Sequence, residues 1–117
     1  MSNLTEYEVD NLTRSFKLEP TFNKVIVTLN TEVEDGGLVL SDNTLSEVQY
    51  IIAKGDHVKS FELGQKVLLD LDKMMIKEPN PTNQYEMITR IKIDPIIVDG
   101  VTFAIIEDRL IKAKYKK

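Results

Sequence analysis

Cysteine and tryptophan are absent from this chain of 117 residues, and it carries a single histidine, His57. Without cysteine there is no disulfide, no thiol nucleophile and no soft metal ligand, which fits a reducing compartment. None of the five glycines belongs to a GxGxxG or Walker pattern, so no phosphate cradle is written into the chain. No apolar run approaches the ~20 residues of a membrane span. Residues 1–16 lack the basic and apolar regions of a signal peptide, so a cytoplasmic location is expected. Positive charge is not in excess either. A net charge of −4 argues against general nucleic-acid binding, and the basic tail of Lys112, Lys114, Lys116 and Lys117 reads as a solvated strand end.

What is present is a globular complement of apolar residues, 42%, enough for one modest core. Residues 1–17 form an arm in which Val9, Leu12 and Phe16 stand at helix-like spacing. A frayed arm or a single helical turn has the same signature. Asn3-Leu4-Thr5 and Asn11-Leu12-Thr13 match the glycosylation pattern, which has no meaning without secretion.

From residue 18 onwards the pattern is all-β. Val25, Ile26 and Val27 mark one strand, residues 48–53 a second and residues 67–71 a third. Residues 87–93 alternate with the period of a half-buried strand. Asp99-Gly100 joins two further apolar runs as a two-residue hairpin turn, and residues 110–115 close the chain as a last strand. Pro79, Asn80, Pro81, Thr82 and Asn83 read as a loop. Short strands at such spacing predict a small barrel or sandwich.

Candidate catalytic groups are few. His57 beside Asp56 in a turn reads as a surface histidine, and Asp70 and Asp72 on one strand face lack further oxygen ligands for a cation. No enzyme, cofactor or metal site is expected. Met74, Met75 and Ile76 are either core or an exposed apolar patch, with core favoured. The unexplained feature is Gly36-Gly37-Leu38-Val39-Leu40, three aliphatics set between two polar stretches within residues 30–46. The glycines supply freedom and the side chains fit an apolar groove, which is the pattern of a recognition tag.

In order along the chain, four blocks resemble the GroES co-chaperonin family, and its divergent phage-encoded members in particular. Residues 18–27, with Pro20 and Lys24-Val25-Ile26-Val27, are similar to the family's opening strand. Gly36-Gly37-Leu38-Val39-Leu40 is close to the "GGIVL" of its mobile loop. Residues 47–55, ending Ala53-Lys54-Gly55, resemble "GEVLAVG", and Leu63-Gly64-Gln65-Lys66-Val67-Leu68-Leu69 resembles "VGDIVIF". A weaker echo of the family's ending runs through residues 100–111.

The resemblance implies a GroES-like β-barrel over residues 18–117 with a mobile loop at about 30–46. It also implies a chaperone role: a homo-oligomeric lid, heptameric by analogy, that caps a GroEL-type chaperonin and encloses an unfolded client protein. Gly36, Gly37, Leu38, Val39 and Leu40 would bind the chaperonin. Phe16, Leu18, Pro20, Leu110, Ile111, Ala113 and Tyr115 would lie at the subunit interface, where first and last strands of neighbours pair.

The sequence also departs from the family pattern. Only residues 56–62 stand where the roof hairpin belongs, so the roof is expected to be absent. Ser46 replaces a glycine, and residues 74–85 read as an insertion. The competing reading is a small β-barrel structural or interaction module, such as a virion component, with residues 38–40 ordered and buried. A third is a metal-dependent enzyme built on Asp70, Asp72 and His57.

Overall fold

Val25, Ile26 and Val27 are all fully buried, so the first strand has apolar layers on both faces. The computed structural model describes residues 3–31, 45–80 and 82–116. Its elements are helix α1 (Glu6–Ser15), strands β1 (Lys24–Thr28), β2 (Val48–Lys54) and β3 (Lys66–Leu69), and a one-turn helix α2 (Leu71–Met74). Strands β4 (Met75–Asn80), β5 (Asn83–Ile91), β6 (Asp94–Val98) and β7 (Val101–Glu107) follow, then a 3-10 turn (Asp108–Leu110) and β8 (Ile111–Lys114).

The fold is all-β. Six strands form one sheet in the order β6-β7-β1-β2-β3-β8, and β4 and β5 form a separate hairpin. Among the described residues no strand pairs β6 with β8, so the sheet has two edges rather than the closed barrel expected. No strand lies between β2 and β3, where the roof hairpin was expected to be missing.

Alternation along β1 divides the core. Val25 and Val27 face one cluster with Ile51, Val67, Leu69, Met74, Ala104, Ile106 and Ile111, while Ile26 faces the other with Ile52, Ala53 and Phe103. A bulge on β2 keeps both sets in place: Ile26 pairs with Ala53 and Val27 with Ile51, leaving Ile52 as the extra residue. The second cluster is completed by α1, through fully buried Val9 and half-buried Leu12 and Phe16. Phe16 stands edge-on to Phe103, with ring centroids 5.3 Å apart. A fully buried side chain of this kind contributes about 1.5–3 kcal/mol, so the described part of the arm, residues 3–17, belongs to the fold through the docked helix α1. Thr5 starts it with a capping box, accepting from the Glu8 N–H while Glu8 accepts from the Thr5 N–H.

Local chemistry explains the remaining differences from expectation. The third strand stops at Leu69, because Asp70 accepts a hydrogen bond from the Lys73 N–H and caps α2. Asp70 and Asp72 therefore do not share a strand face. Pro79 and Asn80 lie in β4, with Pro79 opposite Met87 in the two-stranded hairpin. Pro is tolerated there because no third strand requires its missing N–H. The last strand begins at Ile111, after the 3-10 turn that contains Leu110. Asp99 and Gly100 form the expected two-residue turn, with φ of 51° and 80°, the left-handed pair that a type I′ hairpin demands.

Candidate functional site

Gln49 is a fully buried polar side chain at the second position of β2, beside its apolar run. Four hydrogen bonds satisfy it: its Oε1 accepts from Thr28 Oγ1 at 2.7 Å and from the Asn30 N–H at 2.8 Å, and its Nε2 donates to the carbonyls of Asn30 and Ser46, each at 2.8 Å. Thr28 Oγ1 in turn accepts from the Tyr50 N–H at 3.0 Å. The Ser46 N–H donates to the Asn30 carbonyl at 3.0 Å, and Thr31 forms an antiparallel bridge with Leu45. The chain that departs after Thr31 and returns at Leu45 is thus held at both ends by one saturated polar network. Buried carboxamides with complete partners fix geometry strongly, since any lost partner leaves an unpaired buried group.

The N-terminus joins the same network. Asn30 Oδ1 accepts from the Leu4 N–H at 3.0 Å while its Nδ2 donates to the Leu4 carbonyl at 3.1 Å. Asn3 repeats the arrangement on the next residue: its Oδ1 accepts from the Thr31 N–H at 3.0 Å and its Nδ2 donates to the Thr31 carbonyl at 2.7 Å.

Gly36, Gly37, Leu38, Val39 and Leu40 lie outside the described residues, in the segment 32–44 that this root carries. The residues expected at a subunit interface fall into two groups. Phe16, Leu18 and Pro20 follow α1: Phe16 packs on Phe103, Leu18 is 47% exposed and Pro20 is buried. Leu110, Ile111, Ala113 and Tyr115 belong to the other end of the chain. Ile111 and Leu110 join the cluster of Val25 and Val27, while Ala113 and Tyr115 are exposed. Phe16 and Ile111 thus serve opposite faces of the sheet. At β8 the Tyr115 N–H donates to the Lys66 carbonyl at 2.9 Å, so by strand alternation the Lys114 N–H points to the open edge.

His57 is exposed, its N–H donates to the Phe22 carbonyl at 2.9 Å, and its ring meets Phe22 edge-on at 5.4 Å. Among the described residues no group of three or more His, Asp or Glu side chains is assembled for a metal. Met74 is core, whereas Met75 is 45% exposed. Asn3, Asn30 and Gln49 are the residues that sequence reasoning missed. The available cues were a glutamine beside the apolar run of a strand and the Thr5-x-x-Glu8 box that starts α1. No protein-family model matches the chain, and no curated protein matches it.

Proposed function

We propose that the chain is a subunit of a GroES-type co-chaperonin, a non-catalytic lid that caps an ATP-driven chaperonin ring and closes its folding chamber. The observation that carries this reading is the pinned root. A glycine-led aliphatic triplet is strung between Thr31 and Leu45, two residues bridged at a saturated polar network. The order of the four sequence blocks supports it, while the strandless connection between β2 and β3 marks a departure from the family's roofed pattern.

The energetics suit a multivalent lid. Burying Leu38, Val39 and Leu40 in a partner's groove yields about 1.5–3 kcal/mol each. Ordering the segment costs roughly 1–2 kcal/mol per residue fixed. One segment alone therefore binds weakly. Several on one ring make later contacts intramolecular, and avidity supplies the affinity. Such contacts release readily when the chaperonin changes state, and the nucleotide chemistry belongs wholly to the partner.

Ring formation draws on open edges. In this reading β8 presents the Lys114 N–H to a neighbour's segment 16–20, and pairing there removes an edge that invites aggregation. Without a roof hairpin the chamber is wider or taller, suited to a bulky client such as a phage capsid protein. A ring enclosing no more volume than a cellular homologue contradicts that last point. The reading as a whole is tested by nucleotide-dependent capture on a GroEL-type ring, comparing the wild type with Leu38→Asp/Leu40→Asp.

A further inference from the structure

The Asn-Leu-Thr run at residues 3–5 has no glycan to carry in a cytoplasmic reading, yet all three residues are engaged. Asn3 and Leu4 meet the root of the 32–44 segment, and Thr5 caps α1. We propose that α1 is a strap that positions this root, with Asn3 and Asn30 as its positioning residues.

The geometry is specific. Each carboxamide contacts both the N–H and the carbonyl of one residue across the junction, Asn3 on Thr31 and Asn30 on Leu4. A side chain thereby takes the part of a neighbouring strand where no strand exists. Asn30 is the shared member. Its side chain holds Leu4, its N–H donates to Gln49, and its carbonyl accepts from both Gln49 and Ser46. Attachment of the N-terminus and closure of the root therefore meet at two adjacent residues, Asn30 and Thr31.

The strap is itself anchored. Val9 is fully buried against the sheet, Phe16 stands edge-on to Phe103, and the capping box begins α1 directly after Leu4. Docking of the helix delivers Asn3 and Leu4 to the root. Linkage then requires that whatever loosens α1 also loosens the root, and that whatever stiffens the root favours docked α1. Resting on the co-chaperonin reading, the consequence is that a strapped root has less freedom left to lose when a partner docks.

Amide hydrogen exchange on the full chain tests the strap without any partner. The Ser46 N–H is the reporter, because it bonds Asn30 and touches neither Asn3 nor α1. Asn3→Ala is expected to speed exchange at Thr31 directly and at Ser46 by about fivefold or more, with β1 amides at their wild-type rates. Val9→Ala, which thins the helix's seat and leaves the clamp chemistry intact, is expected to do the same at Ser46. Ser46 exchanging at the wild-type rate in both variants overturns the proposal. Failure of the wild type to bind any chaperonin contradicts the co-chaperonin reading alone, since Ser46 exchange decides the strap by itself.

Discussion

Gln49 and Asn30 exchange hydrogen bonds in both directions, the Asn30 N–H to Gln49 Oε1 and Gln49 Nε2 to the Asn30 carbonyl, each at 2.8 Å. Through this pair a core strand holds the point at which the chain leaves the sheet.

Replacing that side chain by an apolar one of similar size isolates its polar role. Gln49→Leu leaves the Asn30 N–H and the Ser46 carbonyl without their Gln49 partner, and removes one of two bonds from Thr28 Oγ1 and from the Asn30 carbonyl. A buried group left unpaired costs about 1–3 kcal/mol, so a loss of about 2–4 kcal/mol is expected in urea unfolding. A change below ~0.5 kcal/mol would show that the network contributes little.

Two glycines separate steric from conformational demands. A Cβ on Gly55 would stand 2.3 Å from the Phe22 carbonyl oxygen, a backbone atom that cannot swing aside. At Gly100 nothing lies within 4 Å, but φ is +80°. Gly100→Ala is expected to cost about 1–2 kcal/mol, the penalty for a left-handed L-residue. Gly55→Ala should cost more, because the backbone must move. Equal midpoints in chemical denaturation would contradict this ranking.

Helix α1 ought to respond to its cap. Thr5→Ala removes the acceptor for the Glu8 N–H and is expected to cost about 1 kcal/mol. Faster exchange confined to α1 and the root is the predicted signature. Uniform destabilisation of every strand would point instead to a helix inseparable from the sheet.

The free edge of β8 offers a test of assembly. The Lys114 N–H faces away from β3, so Lys114→Pro removes an outward donor and spares the backbone pairing with β3. Lys114→Ala, which also loses the side-chain bond to the Ser60 carbonyl but keeps the N–H, is the control. In the proposed ring the proline variant runs as a smaller species by light scattering while keeping its strand signature. An unchanged oligomer would move the subunit joint elsewhere.

Features set by near neighbours were legible in the sequence. Asp99-Gly100 announces its turn because few residues tolerate two successive positive φ values, and Val25, Ile26 and Val27 announce a strand, whose burial on both faces the structure adds. Competing local chemistry hid others. Asp70 turned a strand into a capped helical turn, and Lys77, Glu78 and Pro79 concealed β4, whose pairing with β5 overrides weak intrinsic preference. The root network was the least legible, since Asn30 and Leu4 are 26 residues apart and side-chain-to-backbone bonds of that span leave no periodic trace. The aliphatic triplet was legible as chemistry, while its setting needed the fold.

The most direct test of the central claim is binding to a GroEL-type ring in the presence of ATP, with Leu38→Asp/Leu40→Asp alongside the wild type and both checked for equal unfolding midpoints. The co-chaperonin reading predicts that the wild type binds only with nucleotide and that the folded variant does not bind. A variant that unfolds would make residues 38–40 core, and one that binds as the wild type does would leave the triplet without a partner. Either result contradicts the account.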